Sequence, residues 1–468
     1  MTDASGPRLS LPRVLAFSSL SVPLAGVGLP LAVYLAPLYA NEVGLGLELT
    51  GFLFMVLRFW DILTDPVMGF VVDRYRSPWG RVRHWIVLSV PILGLATYFI
   101  YMPERGAGPG YFVVWMLLFY VGFTLLQTAR SAWVPAIATD YDDRSRFFTW
   151  AEVLSIISML ALLAVPAILA AAGVEVDRFG QVEVMGWALL ISLPIVAFLA
   201  CTFVPDRPMR GDKGEAAKFD LKAMIAALGN RFLGVVLSME LLVGTAVAIT
   251  ASNYLFVAEY VFGLSDSMSS VVLMIFFSTA VAALPFWLKF SARTEKNTAF
   301  LCAVIMGMSS YVIYYLAGRL GGGFWALLIG ALVNGAAFSA PVVIARSMAA
   351  DVVEYQAAKT GENRAGIYYS LLTSAYKIGS SLAFGVGYFV LGRVAGFRPG
   401  AENSPEALHG LLLVFCVLPV ILYGLAALVA FGMWQAEGGP PTYSTLPGET
   451  RVIGTIPAGK LRSEYRNV

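Results

Sequence analysis

The chain has 468 residues, of which 58% are hydrophobic and only 13% are charged. Soluble domains carry about 25% charged residues, so this composition excludes a soluble globular protein and indicates an integral membrane protein. The net charge of +2 does not favour nucleic acid as a partner, and the three cysteines, all in apolar runs, lack the pattern of a disulfide framework or metal site.

Twelve apolar runs are long enough to cross about 30 Å of hydrocarbon as helices. We predict an all-α membrane protein with a six-helix bundle at 1–204, a central cytoplasmic loop at 205–231, a second six-helix bundle at 232–435 and a disordered cytoplasmic tail at 436–468. The stretch DLKAMIAAL in the central loop predicts a short surface helix. The twelve runs lie at about 14–40, 49–72, 85–102, 111–138, 147–172, 183–204, 232–261, 267–288, 297–317, 323–348, 366–392 and 408–435.

The distribution of lysine and arginine predicts the orientation of these helices. With both termini in the cytoplasm, 23 of the 32 basic residues fall in cytoplasmic segments and five in external loops. Because basic residues concentrate in cytoplasmic loops, we expect a multi-pass protein of the cell (inner) membrane with both termini inside.

The second apolar run contains two carboxylates, Asp61 and Asp65, one helical turn apart. An Asp near the centre of a membrane helix costs about 2.5–3.5 kcal/mol on insertion scales, so two on one face require a compensating partner. Their i, i+4 spacing places them on one stripe, where they could share a bound cation or proton.

A recognisable motif surrounds these carboxylates. Gly69, Asp73, Arg74, Gly80 and Arg81 resemble the signature loop between helices 2 and 3 of the major facilitator superfamily. The fuller pattern, Arg58-x-Trp60-Asp61-x-x-x-Asp65-Pro66-x-x-Gly69, is similar to the glycoside–pentoside–hexuronide:cation symporter family, that of melibiose permease. Three further stretches carry the resemblance into both halves of the chain: ATDYDDRSR (138–146), DVVEYQAAKTGENRAGIYYSLL (351–372) and AYKIGSSL (375–382).

The resemblance implies a major-facilitator fold of twelve transmembrane helices and a monovalent-cation site. The site residues that it implies are Asp61, Asp65 and Thr124, with Thr64 at a position where melibiose permease has Asn, and Lys377 on helix 11 nearby. Oxygen ligands suit a hard cation, and a lysine supplies positive charge when the cation is absent. Na⁺ and H⁺ both remain open as coupling ions, and we expect no other cofactor or metal. The alternative is a static ion pair between helices 2 and 11, with Arg58 as a second neutralising group.

The implied function is symport of a small organic solute, favouring a sugar, glycoside or uronide, by alternating access. The acidic sugar ligands that the family uses on helices 1 and 4 are absent here. The candidate substrate residues are instead Gln127, Thr128, Arg130 and Ser131 on helix 4 and Thr373, Tyr376 and Lys377 on helix 11. Arg130 has two interpretations: an ion pair with Glu152 on helix 5, or a grip on an anionic group of the substrate.

Charged residues in the cytoplasmic loops predict gating contacts that hold one state and break in the other, together with Arg58 and Lys377 as coupling residues. The loop residues concerned are Asp73, Arg74, Arg81, Asp140, Arg144, Asp351 and Glu354.

Two other functions are alternatives to the symport of a hydrophilic solute. An amphipathic, lipid-like anion is the second transport hypothesis, because helix 1 is uncharged and the distantly similar lysolipid symporters keep the paired Asp and the Lys. A non-transporting scaffold would not need carboxylates at this depth, and the chain contains no HExxH, GxSxG or Walker motif of an enzyme. We expect a monomer in the lipid bilayer whose partners are the substrate and the coupling cation.

Overall fold

The structure is a computed structural model that describes residues 9–75, 77–80, 82–137, 141–174, 177–206, 221–360 and 365–437. Within these ranges the chain forms long helices and one short connecting helix, Leu221–Leu228. The long helices are α1 (Leu11–Ala40), α2 (Leu47–Arg74), α3 (Arg83–Tyr101), α4 (Pro109–Ile137), α5 (Tyr141–Ala171), α6 (Arg178–Phe203), α7 (Arg231–Val261), α8 (Asp266–Arg293), α9 (Lys296–Arg319), α10 (Gly323–Thr360), α11 (Ala365–Phe389) and α12 (Pro405–Glu437). The predicted tail at 436–468 lies almost entirely outside the described residues.

Each predicted apolar run coincides with one of these helices, and the predicted short helix in the central segment is also present. The largest difference is at α10, which continues to Thr360, about twelve residues beyond the predicted end. Its added turns contain Asp351 and Glu354 and no proline or glycine, so the backbone stays helical where the apolar pattern stops. Apolar length predicts the membrane-embedded part of a helix and not the part that continues into water.

Ten of the long helices in the described chain are apolar enough by composition to cross a membrane. The other two are α2 and α11, which contain Asp61, Asp65 and Lys377. The same charged residues that single out a site therefore lower the hydropathy of the two helices that contain them.

Helices α2 and α11 pack closely against each other and so bring the two halves of the chain into contact. A Cβ atom on Gly51 of α2 would lie 2.6 Å from the carbonyl oxygen of Phe384 on α11, and one on Gly385 would collide with Met55. Small residues permit this backbone approach. The rings of Phe54 and Phe384 stack beside it with centroids 5.2 Å apart.

Candidate cation and substrate site

The paired carboxylates of α2 face the lysine of α11. The Lys377 ammonium nitrogen lies 2.8 Å from Asp61 Oδ2 and 2.6 Å from Asp65 Oδ2. The Asp61 side chain is fully buried, whereas that of Asp65 is 40% exposed. One ammonium group therefore bridges a buried carboxylate and an accessible one across the interface between the two halves.

A hydroxyl from α4 completes the cluster. The Thr124 Oγ1 atom lies 3.1 Å from Asp61 Oδ1 and 3.3 Å from Asp65 Oδ1, so its proton can be donated to either carboxylate. Arg58, one turn before Asp61, places Nη1 3.5 Å from Asp61 Oδ2 and its guanidinium 5.8 Å from the ring centre of Tyr120. The cluster thus holds two carboxylates, two cationic groups and one hydroxyl.

Thr64 is oriented differently from Thr124. It is buried, and its hydroxyl donates to the backbone carbonyl oxygen of Asp61 at 3.0 Å rather than to a carboxylate. The structure therefore brings Asp61, Asp65, Thr124 and Lys377 together and leaves the Thr64 hydroxyl bonded to its own helix.

This arrangement can exchange one positive charge for another. With both carboxylates ionised, Lys377 and Arg58 balance their charge. Carboxylate and hydroxyl oxygens are also the ligands that a hard cation prefers, and a proton on either carboxyl group would remove one negative charge. A cation or proton that enters would therefore compete with the ammonium group for the same oxygen atoms.

A cavity of about 320 Å³ lies beside the charged cluster, between the two halves of the chain. Its wall is mainly apolar and includes Gly28 and Ala32 from α1 and Phe119 and Phe123 from α4. Its polar lining residues are Arg58, Tyr120, Gln127, Tyr376, Lys377 and Ser380. A mostly apolar pocket with a few polar groups is the usual form of a small-molecule site.

Three predicted substrate residues, Gln127, Tyr376 and Lys377, line this central cavity; Thr128, Arg130, Ser131 and Thr373 do not. The Ser131 hydroxyl donates to the Gln127 carbonyl oxygen and the Thr373 hydroxyl to that of Tyr369, so both bond within their own helices.

Arg130 is tied to α1. Its guanidinium Nη1 donates to the hydroxyl oxygen of Ser21. Glu152 is near enough to interact with it electrostatically, but within the described chain the two form no direct ion pair. Neither interpretation of Arg130 from the sequence predicted this hydrogen bond to Ser21.

The predicted gating residues are described only in part. Asp351 forms an ion pair with Lys296, whose Nζ atom lies 2.7 Å from Asp351 Oδ1. The Arg74 guanidinium lies 5.6 Å from the centre of the Phe70 ring, and Glu354 is exposed. Arg81 and Asp140 lie outside the described residues, and Asp73 and Arg144 belong to helices but their side chains are not described.

An ion cluster around the buried Arg178, at one end of the bundle, was missed by sequence reasoning. Arg178, at the start of α6, places Nη2 2.7 Å from Glu259 Oε2 and 2.8 Å from Asp266 Oδ1. Its side chain is only 5% exposed, and both partners belong to the second half of the chain. We call this end of the molecule the Arg178 end. At the same end Tyr34 of α1 hydrogen-bonds Ser270 of α8 at 2.9 Å, and Arg393 pairs with Glu48 of α2 at 3.0 Å.

A second buried pair lies within the second half. Glu240 on α7 is fully buried and bonds Arg346 Nε of α10 at 3.4 Å, while its Oε2 atom has no hydrogen-bond partner within the described chain. The Arg346 side chain is 50% exposed. The sequence alone did not predict this pairing of Glu240 with Arg346.

Comparison with known proteins adds three kinds of similarity. Residues 16–433 match the family model described as "MFS/sugar transport protein". The chain is 24% identical to a putative glycoside/cation symporter of Escherichia coli (83% of this chain, 84% of that protein) and 25% identical to the sodium-dependent lysophosphatidylcholine symporter 1-B of Danio rerio (80% and 77%). The crystal structure of the nucleoside transporter NupG has the same fold, with a TM-score of 0.65 at 14% identity over 91% of this chain and 99% of that one.

Proposed function

The chain belongs to the MFS/sugar transport protein family, a family of membrane transporters, and from this premise we propose that it is a secondary active symporter that couples Na⁺ or H⁺ to a sugar, glycoside or uronide. Membership of the family confirms the predicted all-α, twelve-helix membrane fold and the expectation of a transporter rather than an enzyme. The single observation that carries the proposal is the Lys377 ammonium group between Asp61 and Asp65.

Coupling would arise from the exchange of charges at this cluster. A cation held by Asp61, Asp65 and Thr124 displaces the Lys377 ammonium group, which lines the central cavity together with Tyr376. The displaced ammonium group then becomes available to a substrate hydroxyl or carboxylate. Cation and substrate would thereby raise each other's affinity, as linkage requires of any coupled pair.

Alternating access is supported by the contacts at the Arg178 end. The Arg178 cluster, the Tyr34–Ser270 hydrogen bond and the Arg393–Glu48 pair all join the first half of the chain to the second. At the opposite end the Lys296–Asp351 pair lies within the second half. From the excess of basic residues in the predicted cytoplasmic segments, we infer that the Arg178 end is external and closed, which corresponds to an inward-facing state.

The substrate class is supported by the central cavity. Its volume of about 320 Å³ falls at the small end of ligand pockets, and the Gln127 amide and the Lys377 ammonium group can hydrogen-bond hydroxyl or carboxylate groups. A lipid-like anion is the second candidate, because most of the wall is apolar and one relative is named as a lysophosphatidylcholine symporter. We propose a monomer in the cell membrane with both termini in the cytoplasm.

Uptake into proteoliposomes tests the proposal. Wild-type protein should concentrate a radiolabelled glycoside or glucuronide only under an inward gradient of Na⁺ or H⁺, and D61N and D65N should lose this accumulation. E402Q is the matched control, since Glu402 is an exposed carboxylate in the loop before α12 and does not belong to the charged cluster or to the Arg178 cluster. Uphill accumulation by either D61N or D65N would exclude this mechanism.

A further inference from the structure

A second cavity, of about 240 Å³, adjoins the central cavity and extends into the second half of the chain. It is enclosed chiefly by α7, α8, α9, α10 and α12. Eight aromatic side chains line it, among them Tyr254, Phe276, Phe277, Phe338, Phe415 and Tyr423. We call it the aromatic cavity. No residue of the charged cluster lines it.

The two cavities meet at a boundary made of small residues. Gly28 and Ala32 of α1 and Val247 and Ala251 of α7 line both. A Cβ atom on Gly28 would meet nothing within 4 Å, so the boundary is open on the α1 side. A molecule whose polar part lies near Lys377 can therefore extend an apolar part past Gly28.

The chemistry of the aromatic cavity favours a flat ring. Phe338 stands edge-on to Phe276 and Phe277, with ring centroids 5.0 and 5.8 Å apart. Such edge-to-face packing is also how a guest ring is held. The Thr250 and Tyr311 hydroxyl groups hydrogen-bond each other at 2.7 Å, so neither needs a water molecule in the cavity as a partner. An engineered apolar cavity of about 150 Å³ binds benzene and stays dry otherwise, so the larger space here can hold a phenyl-sized or bicyclic group.

We propose that the aromatic cavity is a substrate subsite for an aryl group, so that the preferred cargo is an aryl glycoside or aryl uronide whose polar part lies in the central cavity. This proposal rests on the proposed function and names the substrate class more narrowly. Selectivity between substrates with the same sugar would then be set by the aromatic cavity rather than by the charged cluster.

The test compares phenyl, cyclohexyl and methyl β-D-glucuronide by calorimetric titration of the full chain in nanodiscs. Fluorescent 2-naphthol, which has no sugar, tests whether an aryl group binds without the polar part, and A331L assigns that binding to the aromatic cavity. Wild-type protein should bind the phenyl compound about tenfold more tightly than the methyl compound, and more tightly than the cyclohexyl one. Ala331 lines only the aromatic cavity, so A331L should remove the phenyl advantage and 2-naphthol binding while leaving methyl glucuronide affinity unchanged.

Two more variants keep the test decisive if A331L does not fold. G28L closes the boundary and should also remove the phenyl advantage. G234L is the control. Gly234 lies on α7, the helix that lines both cavities, but a Cβ atom there would meet nothing within 4 Å. This variant should therefore bind all the compounds as wild type does. Equal affinity for phenyl and methyl glucuronide, tighter binding of the cyclohexyl compound, or a phenyl advantage that survives G28L would overturn the subsite. Loss of 2-naphthol binding in A331L without glucuronide binding by wild type would instead support the subsite and reject the proposed sugar.

Discussion

Asp61 and Asp65 share one ammonium group but differ in their access to solvent: the Asp61 side chain is fully buried and that of Asp65 is 40% exposed. In the proposed mechanism, an ion that arrives from solvent meets the accessible Asp65 before the buried Asp61. Burial makes Asp61 the more costly charge to leave without a partner. The two carboxylates are therefore not equivalent. Separate substitutions of Lys377 and Thr124 test what each of these neighbours contributes to the cluster.

Replacing Lys377 by Ala should destabilise the protein unless a cation takes its place. Loss of the ammonium group leaves the two carboxylates with only the Thr124 hydroxyl and Arg58. Breaking a fully buried ion pair costs about 3–5 kcal/mol, and the cost is smaller here because Asp65 is 40% exposed and Asp61 keeps Arg58. We expect a lower Tm that Na⁺ restores at constant pH if Na⁺ is the coupling ion, or that acidification restores if it is H⁺. Thermal unfolding of K377A across both series measures this, and a Tm insensitive to both would contradict cation exchange at this position.

The Thr124 hydroxyl should contribute to cation affinity. T124V keeps the shape of the side chain and removes a hydrogen bond to a charged group, worth about 1.5–3 kcal/mol. The concentration of cation that half-saturates uptake should rise about tenfold or more, whereas T124S should stay near wild type. An unchanged half-saturation in T124V would remove Thr124 from the site.

The Arg178 cluster should hold the Arg178 end closed. R178Q removes the shared cation of Glu259 and Asp266, and the outward-open state should become more populated. The readout is the rate at which an impermeant thiol reagent labels Ser270→Cys in a background without the three native cysteines, because Ser270 is buried beside the cluster. R105Q is the control: its pair with Asp177 is exposed on both sides and spans 3.7 Å. Equal labelling rates in R178Q and R105Q would argue against a gate.

Glu240 and Arg346 should behave as a coupled structural pair. R346Q leaves a fully buried carboxylate without its partner and should lower the Tm more than E240Q, which leaves a half-exposed arginine able to reach water. The double variant E240Q/R346Q should recover part of the loss. A double-mutant cycle of Tm values checks this, and strictly additive effects would show that the pair does not interact.

Arg130 should act through α1. Because its guanidinium bonds Ser21 and does not line the central cavity, R130Q should reduce the amount of folded protein, and S21A should share part of that effect. A selective rise of the substrate KM at normal abundance would instead support the grip on an anionic substrate group.

The sequence predicted the helices well because membrane thickness imposes one length on every span. It also predicted that Asp61, Asp65, Thr124 and Lys377 would meet, since each matches a family motif, and the structure brings these side chains together. Thr64 was also predicted at the site, but its hydroxyl bonds the backbone carbonyl oxygen of Asp61 instead, because a helical hydroxyl can bond either a ligand or its own backbone.

Contacts between distant helices were the part that the sequence did not reveal. Arg178 was assigned to a loop because the apolar run begins after it, although Asp177 caps the helix by accepting from the Gly180 amide at 2.9 Å. That capping signal, a single Asp before the helix, could have extended α6 to include Arg178. The aromatic cavity left no signal, because its rings are spread over five helices and look like ordinary packing residues along the chain.

The tight pairing of α2 with α11 has a consequence for biosynthesis. Asp61 and Lys377 are 316 residues apart, so at about 5–20 residues per second α2 leaves the ribosome roughly 15 s to a minute before its partner exists. During that interval, Arg58 and Thr124 are the only members of the charged cluster that can interact with its carboxylates. A nascent chain halted after α6 therefore contains two membrane-embedded carboxylates and only one nearby cationic group, Arg58.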